Sequence, residues 1–521
     1  MLSAAEIESR LRPHQIPSVR RLTRIFGSYQ SAVDLSDTGV GKMYVGAAVA
    51  TLLQLPTIVV APKVVLTAWQ RAAAHFDERF SIVGYEKLRT GKTGFGWWEH
   101  PLPEDGSELE YYQCQSCQCK IDITNPPPCY THPLGIHCLE IKKKAWNYGK
   151  FNWHPNIGLI IFDEVQRCGS HDSLNADMLI AVKRAGIRML GLSATAACNP
   201  LGMRALGYNL DLHNDSCDIL STNSFLPTRS KPSFSRWLHH YGCRRDPKFH
   251  GWKWMVGEKR QLAVMGNIRD SFLGSRGVRV TTDSIPNFPK RDIRSELYDL
   301  DEAGQIDRLY QEMQQPLATL AERCCTDDAD HPLTKILRIR QKIELLKVPI
   351  AVELAKDYLD KGFSIGIFVN FSQTLSELRF RLKTDCIIDG SRDGVRFRQR
   401  NIDRFNSNHE RIILINNEAG GSAVSLPDTT GDHPRGGLVF PGFSAATLRQ
   451  LLGRFHRENA KSDCFFRILF AANTYEEKLH RILRTKWNNL DALNDSDLDG
   501  RSENLHLSGC SIAHLTLNQS N

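Results

Sequence analysis

The chain has 521 residues, 41% of them hydrophobic and 24% charged, with a net charge of +8. That length exceeds one ordinary core, so several domains are expected, and the composition is that of a soluble globular protein. No run approaches the ~20 apolar residues of a membrane span, and the opening Met1-Leu2-Ser3-Ala4-Ala5-Glu6 lacks the basic-then-apolar layout of a secretory leader, so the expected chain is soluble and intracellular with no membrane partner. The mild excess of base permits a polyanionic partner. Of the 14 cysteines, Cys114, Cys117, Cys119, Cys129 and Cys138 crowd one short stretch, which suits a reducing compartment with one local metal cluster better than a disulfide framework.

In chain order, residues 6–27 read as a helix broken by Pro13 and Pro17, with Leu11-Arg12-Pro13-His14-Gln15 inside it. The Gln15 amide suits the edge of an adenine, although a polar helix start is the simpler reading of that stretch alone. Ser31 to Leu35 reads as a short buried strand and Met43 to Leu55 as a helix. Between them lies Asp37-Thr38-Gly39-Val40-Gly41-Lys42. A glycine-rich turn at a helix N-terminus presents several backbone N–H groups to an anion. Gly39 and Gly41 let the backbone come close, and Lys42 places a point charge on β- and γ-phosphates. The next residue is Met43, where phosphate loops of this kind carry a hydroxyl that ligates Mg²⁺.

Strands follow at Thr57 to Ala61, running into Pro62-Lys63, and at Phe80 to Tyr85, with a helix over Val64 to Phe76 between them. Alternating strand and helix argues for a parallel α/β sheet. The alternation stops over about 95–150, an insertion that holds Trp97-Trp98, Pro126-Pro127-Pro128 and the clustered cysteines. It resumes at Ile157 to Phe162, which ends in Asp163-Glu164-Val165-Gln166. Two carboxylates at the C-terminal end of such a strand face the ligand crevice of an open sheet. Asp163 is suited to Mg²⁺ and Glu164 to orienting and deprotonating a water; a solvated acidic loop has the same residues. A further strand, Arg188 to Leu192, leads into Ser193-Ala194-Thr195.

Within 200–334, Trp237, Trp252 and Trp254 with Arg244, Arg245, Lys248 and Lys253 form a basic, aromatic region. This is either a nucleic-acid surface or core aromatics with a solvated rim. Helices are expected over 300–324 and 333–347. A second α/β run has strands near 364–369, 386–390, 411–416 and 437–440, then Ala419-Gly420-Gly421 and a helix carrying Gln450, Gly453, Arg454 and Arg457. Gln450, Arg454 and Arg457 share one helical face. Grouped guanidinium ions suit a triphosphate that changes charge during hydrolysis, and also a salt-bridged surface helix. A last helix spans 476–490, and the tail beyond 499 is polar.

In the insertion, Cys114-x-x-Cys117 followed by Cys129-x-x-His132 and His137-Cys138 has zinc-ligand spacing. Cys114, Cys117, Cys129 and Cys138 are the preferred Zn²⁺ ligands, with His132 or His137 as rivals and Cys119 spare. Zinc would let the insertion fold without a large core.

Taken in order, these motifs resemble helicase superfamily 2. Leu11 to Gln15 is similar to its adenine-recognition motif, Asp163 to Gln166 to its DExx box, Ser193-Ala194-Thr195 to its third motif and Gln450 to Arg457 to its sixth. Within the superfamily the chain most resembles the Swi/Snf-like branch, particularly helicases of DNA viruses and phages. The resemblance covers about residues 10–200 and 345–490. It implies an α/β fold of two RecA-like domains with parallel sheets, plus the zinc-binding insertion in the first. The expected boundaries are 1–215 with the 95–150 insertion, a 216–335 linker and helical accessory region, 336–495, and a 496–521 tail.

The resemblance further implies ATP and Mg²⁺ between the domains. Gln15, Thr38, Gly39, Val40, Gly41, Lys42, Met43, Gly421 and Gln450 would line the nucleotide. Lys42 would hold phosphates, Asp163 the Mg²⁺ and Glu164 the water, and Arg454 and Arg457 would reach across, Arg457 as the finger. Pro62-Lys63 and Ser372 would lie near a nucleic-acid backbone. The implied activity is ATP-dependent translocation or unwinding, with double-stranded DNA as the preferred partner, in host cytoplasm or nucleus for a viral protein. A helicase-shaped binding protein of little turnover and a viral transcription-associated ATPase are the alternatives.

Overall fold

The computed structural model describes residues 2–494 apart from 100–109, 115–119, 122–138, 144–149, 171–172, 215–230, 247–250, 323–331 and 418–423. Its first sheet is built from β1 (Ser31–Asp34), β2 (Thr57–Ala61), β3 (Ser81–Gly84), β4 (Leu159–Asp163), β5 (Arg188–Leu192) and β6 (Gly277–Val278). They lie in the order β6-β1-β5-β4-β2-β3, every pairing parallel. β1, β2 and β4 are buried along their whole length, as expected of parallel strands covered on both faces. Alternate residues of β4 point to opposite cores. Ile160 and Phe162 join a cluster with Val33, Trp153 and Trp237, whereas Leu159 and Ile161 join Ala32, Val49 and Trp69.

Helices α1 (Ile16–Phe26), α2 (Lys42–Leu53) and α3 (Leu66–Ala74) cover this second face. Pro17 lies in the first turn of α1, where its missing N–H costs nothing. It starts the helix and does not break it. Ala4–Ser9 is a separate short helix before the turn that contains Gln15.

The second sheet comprises β7 (Arg291–Tyr298), β8 (Ser364–Val369), β9 (Ile387–Ile388), β10 (Ile412–Asn416), β11 (Arg435–Val439) and β12 (Cys464–Ala471). Its order is β7-β12-β11-β8-β10-β9, again wholly parallel. One core holds Phe368, Ile413, Phe455 and Phe466 and the other Ile365, Ile367, Leu414 and Leu438. The protein thus has two doubly covered parallel sheets.

The segment 216–335 is shared between the two sheets. Its described residues before 279 pack on the first core through Phe234, Trp237, Leu238, Met265 and Phe272 and end as edge strand β6. From Arg291 the chain is edge strand β7 of the second sheet. Trp237 is a core residue and Trp252 and Trp254 pack partly buried against the same core, so the aromatic half of the basic region is structural. The helix α4 (Glu258–Asp270) meets the last helix, α6 (Glu476–Asn494). There Arg269 Nη1 donates to Ala492 O at 3.1 Å, and Asn489 Nδ2 donates to Gln261 Oε1 at 2.7 Å. Ala492 and Leu493 are buried in the first domain's core, so α6 fastens the second domain to the first.

The insertion is rooted by an antiparallel ladder between Gly96–Glu99 and Lys150–Trp153, with Trp98, Phe151 and Trp153 buried. Within it Glu110–Cys114 pairs antiparallel with Lys120–Ile121 and Leu139–Lys143. Cys117, Cys119, Cys129, Cys138, His132 and His137 lie outside the described residues, as does the side chain of Cys114. Among the described residues no group of three or more His, Cys, Asp or Glu could hold a metal ion. Among them also no helix is long and apolar enough to cross a membrane.

Candidate nucleotide site

β1, β5 and β4 are neighbours and run the same way. The loops that leave their C-terminal ends are therefore side by side, and they carry Asp37–Lys42, Ser193–Thr195 and Asp163–Glu164. This is the crevice where open parallel sheets bind ligands. Gly39 and Gly41 have φ of +91° and +87°, the left-handed region that favours glycine, and α2 begins at Lys42. A Cβ on Gly39 would stand 2.5 Å from His456 O and 3.3 Å from Arg457 Cδ. The phosphate loop therefore lies directly under the arginine-bearing loop of the second domain. Lys42 Nζ donates to Ser36 O at 2.7 Å and Asp37 O at 2.8 Å. Burial lowers its pKa, against Asp34, Glu164, Asp37 and Asp163, whose negative charge favours the ammonium. The ammonium is held by loop carbonyls, and the nearby carboxylates favour its charged form, the form that a phosphate pairs with.

Gln15 is buried, and Nε2 donates to Val40 O at 3.1 Å while Oε1 accepts from Arg12 N at 3.1 Å. His14 Nε2 also lies 3.0 Å from Val40 O. The turn containing Gln15 thus braces the phosphate loop from behind. A Cβ on Gly453 of the second domain would collide with the Thr38 side chain, and Met43 packs partly buried against the apolar cluster of α1 to α3.

Asp163 is held at both ends. Trp69 Nε1 donates to Oδ2 at 2.8 Å, and the Tyr85 hydroxyl donates to its backbone carbonyl at 2.9 Å. Burial and the adjacent Glu164 raise its pKa, against Trp69 and Lys42. Glu164 is in the left-handed region at φ +56°, an uncommon conformation for a side-chain-bearing residue and one that clusters at functional sites. Its Oε2 accepts from Gln166 Nε2 at 2.6 Å and from Gln450 Nε2 at 3.1 Å. Ser193 Oγ donates to Gln166 Oε1 at 2.6 Å and accepts from Thr195 N at 2.8 Å. One polar chain therefore joins the Ser-Ala-Thr turn, the acidic pair and the second domain.

From that domain, α5 (Ala445–Leu452) presents Arg449 and Gln450, and the loop after it presents Arg454 and Arg457. Arg454 is buried, with Nη1 3.5 Å from Val424 O. Burial and the neighbouring Arg457 lower its pKa to about 9. Burial lowers that of Arg457 to about 10, with Glu164 opposing. Arg454 is buried and Arg457 partly buried, and their like charges lie close enough to oppose each other, an arrangement that an anion between them would relieve.

Of the expected nucleotide-binding residues, Gln15, Thr38, Gly39, Val40, Gly41 and Lys42 gather with Asp163, Glu164, Gln450, Arg454 and Arg457 around this interdomain crevice. Gly421 lies outside the described residues. Sequence reasoning missed Trp69 on Asp163, and Glu458, which pairs with Arg12 at 2.7 Å across the domains. It also missed Arg449, which reaches Asp37 at 3.4 Å. Arg449 adjoins Gln450, and that adjacency was its only signal.

No family model matches the chain. A putative ATP-dependent RNA helicase of Acanthamoeba polyphaga mimivirus is 30% identical over 507 residues, which span 95% of this chain and 85% of that protein. Among solved structures, S. cerevisiae Dbp5 bound to RNA and ADP BeF3 covers 93% of both chains at 11% identity and a TM-score of 0.43. The Sulfolobus solfataricus SWI2/SNF2 ATPase core in complex with dsDNA covers 92% of this chain and 93% of that one at 14% identity and a TM-score of 0.34. The viral relative matches over most of both chains, and in this chain the phosphate loop, the acidic pair, Ser-Ala-Thr and the arginine-bearing loop after α5 converge on one crevice. The chain belongs to helicase superfamily 2.

Proposed function

We propose that this protein is a nucleic-acid-stimulated ATPase that couples hydrolysis between its two α/β domains to movement along nucleic acid. The observation that carries the reading is the hydrogen bond from Gln450 of the second domain to Glu164 of the first, 3.1 Å long. ATP is the substrate. Lys42 and the loop N–H groups bind its β- and γ-phosphates, and Gln15 borders the adenine. Glu164 orients a water and takes its proton as the water oxygen bonds to the γ-phosphorus and the β–γ bridging bond breaks. Arg457, beside Gly39, and Arg454 meet the charge that moves onto the leaving oxygen.

The residues present fit Mg²⁺. Asp163 offers a carboxylate whose other oxygen Trp69 holds, and Mg²⁺ commonly takes one or two carboxylates with substrate phosphates and waters. When bound, it supplies neutralising charge to the phosphates. Position 43 contributes a thioether packed among apolar side chains. That observation favours a second reading, a nucleic-acid-binding protein on the same scaffold with little turnover.

Double-stranded DNA is the proposed track, on the Swi/Snf-like resemblance; the viral relative's name points instead to RNA. ATP turnover measured with duplex DNA, single-stranded DNA and RNA of equal length tests this. The reading predicts the largest stimulation with duplex DNA. Stimulation by RNA alone contradicts the choice of track, and no stimulation by any of them contradicts the motor. For the insertion we propose Zn²⁺ on Cys114, Cys117, Cys129 and Cys138, with His132 or His137 as rivals, on donor chemistry and spacing. Metal analysis of the purified chain should find one zinc per chain, and its absence from chain purified without chelator contradicts that assignment.

A further inference from the structure

We infer that Asp37 is a positioning residue that joins the phosphate loop to the second domain and so places the arginines, an inference that rests on the ATPase reading above. Asp37 lies two residues before Gly39. Its Oδ1 takes Arg279 Nη2 at 2.9 Å and Arg449 Nη2 at 3.4 Å, and its Oδ2 accepts from Thr282 N at 3.0 Å. Its own N–H donates to Val280 O at 3.0 Å, and its carbonyl accepts Lys42 Nζ at 2.8 Å. One residue therefore touches the phosphate-binding lysine, the segment 279–282 that leaves the first sheet, and α5 of the second domain.

Arg449 is well placed to transmit this hold. Its other terminal nitrogen donates to Asp491 Oδ1 at 2.5 Å, and its guanidinium lies 5.6 Å from the centre of the Trp487 ring, both on α6. The next residue, Gln450, grips Glu164. Consecutive residues of α5 are thus anchored on the two acidic loops that flank the crevice, and Arg454 and Arg457 follow within two turns of chain. Burial pushes the Asp37 carboxyl up, but Arg279 and Arg449 overcome it and hold the group well below the usual carboxylate range.

Asp37 does not need to touch nucleotide to matter. Its carboxylate faces Arg279, Arg449 and Thr282, whereas Lys42 is held by its backbone carbonyl, which Asp37→Asn leaves in place. What its charge secures is the seat of α5, and therefore the reach of the arginines, which act on the transition state. Loss of that charge should lower kcat and leave the KM for ATP nearly unchanged. The test is steady-state ATP turnover at saturating nucleic acid for the full chain and for Asp37→Asn, Arg449→Met, the double variant and Arg449→Lys. Each of the first two should lose about ten-fold in kcat with the KM for ATP within about two-fold. The double variant should lose no more than either alone, and Arg449→Lys should recover at least half of the lost rate. A double variant that loses the product of the two single losses overturns the inference. So does a raised KM with kcat intact.

If Asp37→Asn does not fold, Arg449→Met and Arg449→Lys carry the comparison by themselves. If the unmodified chain turns over no ATP, the ATPase reading fails, and a structural measurement then decides the coupling. Spin labels incorporated at the exposed Lys87 and Lys383, one on each domain, should show a broader distance distribution in Asp37→Asn. An unchanged distribution overturns the inference.

Discussion

Gln450, on the helix that leads to the paired arginines, donates its side-chain amide to Glu164 Oε2, the oxygen that Gln166 also engages. The carboxylate proposed to activate water is thus held by one residue of its own loop and one from the opposite domain. Gln450→Ala should leave ATP affinity close to normal and lower kcat about ten-fold, because the lost contact orients the base and not the substrate. Steady-state kinetics at saturating nucleic acid check this. An unchanged kcat means that the contact has no part in turnover.

Gly39 combines a positive φ with close approach of the second domain. Gly39→Ala should abolish most ATP turnover and destabilise the protein by about 1–2 kcal/mol. Gly304, which has nothing within 4 Å of a built Cβ, is the control. Gly304→Ala should be neutral or stabilising by up to about 1 kcal/mol. Denaturant unfolding compares the two, and equal effects contradict the steric account.

Trp69 is fully buried and its indole N–H is spent on Asp163. Trp69→Phe keeps an aromatic ring but removes the donor and leaves a void. The expected cost is about 2–4 kcal/mol of stability. A loss under about 0.5 kcal/mol would mean that the pocket closes over the missing ring and that Asp163 finds another donor.

His456 lies between Phe288, whose ring centre is 4.7 Å away, and Pro289, whose carbonyl oxygen is 2.7 Å from its Nε2. Burial, with help from Arg291, lowers its pKa from 6.5 to about 3. The unfolded chain therefore takes up the proton first as pH falls. The stabilisation is complete above pH 6.5 and is lost from there down towards pH 3, at about 1.4 kcal/mol per pH unit. His456→Gln should flatten the acid limb of a stability–pH profile over that window. A variant with the parent's slope contradicts the assignment.

Lys347 and Glu476 form a buried ion pair at 2.8 Å, with the Tyr310 hydroxyl donating to the same carboxylate at 3.2 Å. Lys347→Met removes one charge and strands the other, which should cost about 3–5 kcal/mol. Thermal unfolding measures this, and a midpoint within one degree of the parent contradicts it.

Much of this architecture was legible because its strands are uniform apolar runs. Ile160–Phe162 and Ile365–Val369 announce buried parallel strands, and the glycines and carboxylates that follow such runs mark the crevice. β7 was missed because Arg291, Asp292, Arg294 and Glu296 hide an edge strand behind charge. β6 was missed because two residues carry no periodicity. The division of 216–335 between the sheets was missed with β6 and β7, and β12 also went unread although Cys464–Ala471 is largely apolar. The brace of Gln15 on Val40, the Trp69 donor and the Asp37–Arg449 contact are pairings between distant parts of the chain. Each residue alone reads as an ordinary polar or aromatic side chain, and only the fold brings the partners together.

The most direct measurement is ATP turnover by the full chain with and without nucleic acid, beside Lys42→Ala and Met43→Thr. The account predicts turnover that nucleic acid stimulates and Lys42→Ala abolishes, with Met43→Thr equal or faster. A native chain without turnover that Met43→Thr restores would contradict it and would mark the protein as a binder on a disarmed motor scaffold.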